Sequence, residues 1–176
     1  GNKGGQIRSH VVTRHDLVLT PRGVRFQGRI FPCSIGKGGI RRNKREGDGA
    51  TPVGSHRIVG MLYRPDRIAR PVPWARPIGP RALWPAASGQ PDYNAQVRAP
   101  YPHSHERLRR ADPLYDLVLI TDWNWPNAEP GKGSAIFIHQ WRRPGYPTEG
   151  CIAFRRDHLW QIAQSIQPGT RLIVPA

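Results

Sequence analysis

The chain has 176 residues, with 27 Lys and Arg against 12 Asp and Glu, a net charge of +15. Six Trp, five Tyr and four Phe exclude a disordered chain, two cysteines exclude a disulfide scaffold, and no run approaches the ~20 apolar residues of a membrane-spanning helix. The length fits one domain over residues 7–176, with residues 1–6 read as an appended or linker stretch.

Apolar and β-branched residues at 7–12 and 16–20 predict two short strands. Pro21-Arg22-Gly23 is a turn signal, and residues 24–26 and 29–33 continue as a hairpin. A glycine-rich loop, Ile35-Gly36-Lys37-Gly38-Gly39, leads into a charged segment at 41–49. Residues 56–63 read as a strand. Residues 64–102 are dense in proline and show no period. That is too long for a plain connection and predicts a functional loop or a lid. Residues 103–110 fit one or two helical turns. The apolar run at 116–121 predicts a central strand, 124–133 a loop, 134–140 a second strong strand, and 146–150 a turn. Leu159, Ile162, Ala163 and Ile166 recur at i, i+3, i+4 and i+7, which predicts a helix over 156–166. Pro168-Gly169 stops it, and 170–174 is a last strand. The expected fold class is mainly β with minor α.

A balance this basic suits a polyanionic partner: nucleic acid, an anionic membrane surface or an acidic polymer. Only four of the 27 basic residues are Lys, and the arginines are scattered. No helix-turn-helix, finger or RNP pattern is present, so nucleic acid is not the expected partner, although a basic binding module remains the alternative from another class. No Cys-x-x-Cys or His-x-x-x-His pair supports a metal site.

The chemistry concentrates at His139 and Cys151. His139 closes one predicted strand, and Cys151 follows the turn at Gly150 twelve residues later. A strand end and a following strand start can lie side by side, bringing imidazole and thiol within hydrogen-bond reach. A free thiol of pKa about 8.5 is only a few per cent thiolate at pH 7, and a neighbouring imidazole raises that fraction. Gly150 lacks a Cβ, which lets backbone N–H groups face a reacting carbonyl and stabilise its oxyanion. The spacing alone fits equally a buried inert cysteine beside a core histidine.

The surrounding residues narrow the choice. Gly133-Ser134-Ala135-Ile136-Phe137-Ile138-His139 followed by Pro147-Thr148-Glu149-Gly150-Cys151-Ile152-Ala153 resembles the catalytic motif of the L,D-transpeptidases, the YkuD family. Gly47-Asp48-Gly49-Ala50-Thr51-Pro52-Val53-Gly54 is similar to the segment that precedes the catalytic sheet in that family, and Pro168 to Val174 fits its C-terminal end. The resemblance covers roughly residues 30 to 174. Three positions depart from the family pattern: Gln140 replaces the usual Gly after the His, Glu149 the usual His before the Gly-Cys, and Ala153 the usual Arg or Asn. These departures resemble a proteobacterial branch associated with cross-links from L-alanine to diaminopimelate.

The resemblance implies a β-sandwich or sheet domain with one helix on the catalytic sheet, and a two-step acyl transfer. Cys151 attacks the carbonyl of an L-residue in a peptidoglycan stem peptide, His139 acts as general base and then acid, and an amine of meso-diaminopimelate on another stem takes the acyl group. Water as acceptor makes a carboxypeptidase or endopeptidase instead. A non-catalytic wall-binding descendant is a third possibility. Neither metal nor organic cofactor is implied. Acylation by carbapenem-type β-lactams, a monomer, and a periplasmic location with any signal or anchor segment already removed are implied as well. Glu149 is a candidate holder of the acceptor ammonium. Arg142 and Arg143 are candidates for stem carboxylates. Thr148, Gln140, Trp141 and Tyr115 complete the expected substrate-contacting set, while Trp123 and Trp125 flank the same strands. Cys33 reads as a small buried hydrophobe, and a Cys33–Cys151 disulfide would silence the enzyme, so a free Cys151 is expected.

Overall fold

The computed structural model describes residues 11–80, 82–85, 97–98, 105–124, 132 and 136–176. The first hairpin forms where the turn signal stands. β1 (Leu17–Thr20) pairs antiparallel with β2 (Gly23–Phe26), and Thr20 Oγ1 donates to Gly23 O at 2.7 Å. Gly23 has φ +134°, and a Cβ there would lie 2.4 Å from Phe31 O, so only glycine fits this turn. β2 in turn pairs with β3 (Arg29–Phe31). Pro32 follows, without an N–H to continue the ladder. The single strand expected at 29–33 therefore divides, and its second part, β4 (Cys33–Ser34), pairs instead with β14 (Ile152–Phe154).

The glycine-rich loop and charged segment are closed by a two-residue parallel ladder between β5 (Ile40–Arg41) and β6 (Thr51–Pro52). β7 (Gly54–Tyr63) then organises the main sheet. Its first half pairs with β15 (Arg171–Val174) and its second half with β12 (Leu117–Thr121), on opposite edges. β12 pairs with β13 (Phe137–Gln140), which pairs in parallel with β14. The strand order is β3-β2-β1-β15-β7-β12-β13-β14-β4, with the two-residue β8 (Arg76–Pro77) added beside β7.

Every residue of β12 is buried, because both faces of the sheet are covered. Leu117 and Leu119 join a cluster with Leu17, Val24 and Phe26 and with the apolar stripe of α1 (Arg156–Ser165). Val118 and Ile120 join a second cluster with Leu62, Ile78, Leu108, Tyr115 and Phe137, against which Cys151 packs. A strand covered on both sides reads as an unbroken apolar run, which is why this one was visible in the sequence. Burying each such Leu or Ile contributes roughly 1.5–3 kcal/mol. The helix buries Leu159, Ile162 and Ala163, with Ile166 just past its end. Among the described residues it is the one helix, and the architecture is mainly β as expected.

Three local expectations change. Residues 105–107, read as helical, form strand β11 (His105–Arg107), paired antiparallel with β9 (Ala82–Pro85). β9 also pairs with β10 (Val97–Arg98), so the proline-dense segment contributes β8 and two strands of a small sheet. Its role as loop or lid falls in part on residues outside the described set, 81, 86–96 and 99–102. Val11 and Val12 are exposed and in no strand, and the remainder of the strand expected at 7–12 lies outside the described residues, as do residues 1–6.

Candidate active site

The parallel β13–β14 register pairs Ile138 with Ile152 and His139 with Ala153. One step back, Cys151 stands level with Phe137, whose N–H donates to Cys151 Sγ at 3.3 Å. Alternate residues of a strand share a face, so Phe137, His139 and Cys151 project to the same side of the sheet. His139 and Cys151 both line a cavity of about 430 Å³.

His139 is buried, and its Nδ1 lies 2.7 Å from the carbonyl oxygen of Gln140. A carbonyl only accepts, so Nδ1 carries the proton and Nε2 is the bare nitrogen. The Tyr115 ring packs edge-on against the imidazole, with centroids 5.2 Å apart. Burial lowers the imidazole pKa to about 4. The charges of Arg110 and Arg142 act in the same direction, and the Gln140 carbonyl and Asp112 oppose them. His139 is therefore neutral at pH 7.

That burial makes stability pH-dependent. Above the ordinary value of 6.5 the ring is neutral in both folded and unfolded chains. Below it the unfolded chain binds a proton that the folded chain refuses until about pH 4, so His139 makes stability fall as pH drops through that window. The unfolding midpoint, measured from pH 7 to pH 4, should decline less steeply in His139→Gln than in the parent chain. Equal slopes would mean that the buried ring does not carry this dependence.

The turn holding the nucleophile is buttressed from two directions. Thr148 Oγ1 accepts from Gly150 N at 3.1 Å and donates to Cys151 O at 2.5 Å. Thr148 N donates to Ile35 O at 2.9 Å and Lys37 N to Thr148 O at 2.8 Å, so the glycine-rich loop runs beside the turn. Thr51 is buried beneath it. Its hydroxyl donates to Gly150 O at 2.7 Å and accepts from Gly36 N at 3.0 Å. The packing leaves no room for side chains. A Cβ on Gly36 would lie 2.2 Å from Gly49 O, and one on Gly150, at φ +130°, 2.7 Å from Ala50 O. Gly150 thus serves close approach of three segments, and its N–H is engaged by Thr148. Thr51→Val keeps the shape but strands two buried polar groups at ~1–3 kcal/mol each. A loss of about 2–4 kcal/mol is expected in denaturant unfolding, and a loss below about 0.5 kcal/mol would show that the hydroxyl does not tie these segments together.

Charged groups of both signs form the walls. Lys44 is buried yet lines the cavity, with Nζ 3.0 Å from Asp48 Oδ1. Burial pushes the Asp48 pKa up, but bonds from Arg45 N, Ala50 N and Lys44 outweigh it and hold the carboxyl at about 2. Glu46, Gly47, Arg110, Leu114, Trp141, Arg142 and Tyr146 also line the space. Arg110 lies over the Tyr115 ring, 5.2 Å from its centroid, and pairs with Asp112 at 2.7 Å. Glu149 lines the rim and pairs with Lys37 at 3.0 Å, both side chains exposed. An exposed pair of this kind contributes ~0–1 kcal/mol.

Of the residues singled out from the sequence, Cys151, His139, Thr148, Glu149, Arg142, Tyr115 and Trp141 line this one cavity. Arg143 does not, and lies instead over the Tyr146 ring at 4.5 Å. The Gln140 side chain turns to the opposite face, where its Oε1 accepts from Arg156. Trp123 packs edge-on against His56, and Trp125 lies outside the described residues. Cys33 packs against the helix-side cluster while Cys151 packs against the other, and neither is in a disulfide. Burial raises the Cys33 pKa to about 11. Sequence reasoning missed Lys44, Glu46, Arg110 and the supporting Thr51–Gly36 contact. The Lys44-to-Asp48 spacing within the charged segment was a usable signal, whereas Arg110 came from a stretch read as helical.

A family model described as the L,D-transpeptidase catalytic domain (YkuD) matches residues 10–174. None of the curated proteins and none of the solved structures compared with the chain matches it.

Proposed function

The chain belongs to the L,D-transpeptidase catalytic-domain family, whose members are cysteine-dependent enzymes of peptidoglycan, and from that premise we propose that Cys151 is its nucleophile and His139 its general base. The observation that supports this most is the fixed tautomer of His139: a neutral ring with a bare Nε2, on a residue that lines the same cavity as Cys151. At rest the pair is then thiol and imidazole rather than an ion pair. The proton moves from Sγ to Nε2 as sulfur attacks the stem carbonyl. The amide C–N bond breaks, Nε2 returns the proton to the departing amine of the D-residue, and a thioester remains on Cys151. An amine of meso-diaminopimelate on a second stem then attacks the thioester, forming an amide and restoring the thiol. We take the donor carbonyl to be that of L-alanine, otherwise that of diaminopimelate, and place the reaction in the periplasm, carried out by a single chain.

The mixed charge of the cavity supports this substrate class. Arg110 and Arg142 suit stem carboxylates, and Glu149 suits the acceptor ammonium, with Lys37 as the cation it exchanges. Glu149→Gln should slow thioester aminolysis more than thioester formation, as read by single-turnover mass spectrometry. Equal slowing of both steps would remove Glu149 from the acceptor role. The reading as a whole is tested by incubating the chain with a tetrapeptide stem or a carbapenem. A covalent adduct on Cys151, absent after Cys151→Ala, is expected, and an unmodified Cys151 across several stems and carbapenems would overturn it.

A further inference from the structure

At the residue after the base, a departure from the family pattern meets a network of the structure. The 140–141 peptide is fixed at both ends. Its carbonyl receives His139 Nδ1 at 2.7 Å, and the N–H of Trp141 donates to Phe154 O at 2.9 Å. The Gln140 side chain adds a third anchor that a glycine could not. Its Oε1 accepts from Arg156 Nη1 at 3.0 Å, and the same nitrogen donates to Asp116 Oδ2 at 2.9 Å. Asp116 is buried, and its other oxygen accepts from Arg67 Nη1 at 2.9 Å. Arg67 in turn donates to the backbone carbonyls of Ala111 and Asp112. Arg156 opens α1, and Asp116 follows the segment that supplies Arg110, Leu114 and Tyr115 to the cavity. The helix, the cavity wall and the base-bearing strand are thus tied together on the face opposite the chemistry.

We infer that Gln140, held by Arg156 and Asp116, is a positioning residue for His139: it fixes the carbonyl that keeps the proton on Nδ1 and the bare Nε2 toward the cavity. This rests on the assignment of His139 as base to Cys151. Without the side-chain anchor the 140–141 peptide keeps only its backbone bonds, one of which is the His139 bond itself, so the imidazole is held less tightly while remaining buried. Small displacements of a reacting group are costly, since a misplacement of ~1 Å can lower a rate ~100-fold.

The test is alkylation of Cys151 by iodoacetamide between pH 5 and pH 9, a reaction that needs no stem peptide. Sulfur bonds to the methylene carbon, iodide leaves, and His139 Nε2 takes the thiol proton. Peptide mapping separates Cys151 from the half-buried Cys33, whose raised pKa makes it slow. Gln140→Ala should alkylate about tenfold more slowly at pH 7, and its profile should revert to that of a simple thiol titrating near ~8.5. Its unfolding midpoint should stay close to that of the parent chain. Gln140→Glu, whose carboxylate accepts the same bond from Arg156, should keep the parent profile. Arg156→Met removes the anchor from the helix side and should reproduce the Gln140→Ala profile. If His139→Ala slows alkylation while Gln140→Ala and Arg156→Met follow the parent curve, the positioning role is overturned and the dyad stands. If His139→Ala itself alkylates like the parent, the dyad fails and the positioning role falls with it.

Discussion

Cys151→Ala should abolish turnover and leave the fold intact. The substitution removes the bond that the thiol accepts from Phe137 N at 3.3 Å. Losing a single weak acceptor costs ~1 kcal/mol, and the turn keeps every bond made by Thr148, Thr51 and Gly36. The chemical loss has no such limit, because without sulfur no thioester forms and the acceptor amine has nothing to attack. Product formation should drop to the uncatalysed level, with an unfolding midpoint within a few degrees of the parent. Residual turnover above background would mean that another group carries the acyl chain.

His139→Ala should lower the rate of thioester formation by ~10²–10⁴-fold, the usual contribution of a positioned general base. The protonation state decides the shape of the remaining activity. With the imidazole neutral down to about pH 4, the parent should keep its rate on mildly acidic samples, where the base still accepts a proton. The variant must instead wait for spontaneous ionisation of the thiol, so its rate should rise tenfold per pH unit up to ~8.5. His139→Gln fills more of the space left by the buried ring and separates the lost base from the lost packing. A variant with near-parent rate and a flat profile would remove His139 from the role of base.

Much of this arrangement was legible in the sequence, for identifiable reasons. β12 announced itself because both of its faces are buried, and α1 because Leu159, Ile162 and Ala163 fall on one stripe. His139 and Cys151 were legible because parallel pairing of β13 and β14 keeps a strand end beside a following strand start. The small sheet of β9, β10 and β11 was not, since its register depends on partners about twenty residues apart and none of its strands exceeds four residues. Gln140 shows a different limit. The family resemblance implies a substrate contact at this position. Strand alternation turns its side chain to the opposite face, toward Arg156. The buttress beneath the nucleophile was half visible. The glycines and the Thr-Pro pair stood out, but that Thr51 bonds both Gly36 and Gly150 is a fact of three dimensions.

The most direct measurement is mass spectrometry of muropeptides after incubation with the parent chain and with Cys151→Ala. A dimer dependent on Cys151, with the new amide fragmenting at L-alanine or at diaminopimelate, is the predicted result. Stem trimming without dimers would make water the acceptor and the protein a peptidase. Identical muropeptide profiles for the two proteins would contradict the assignment of Cys151 as the acyl-carrying nucleophile.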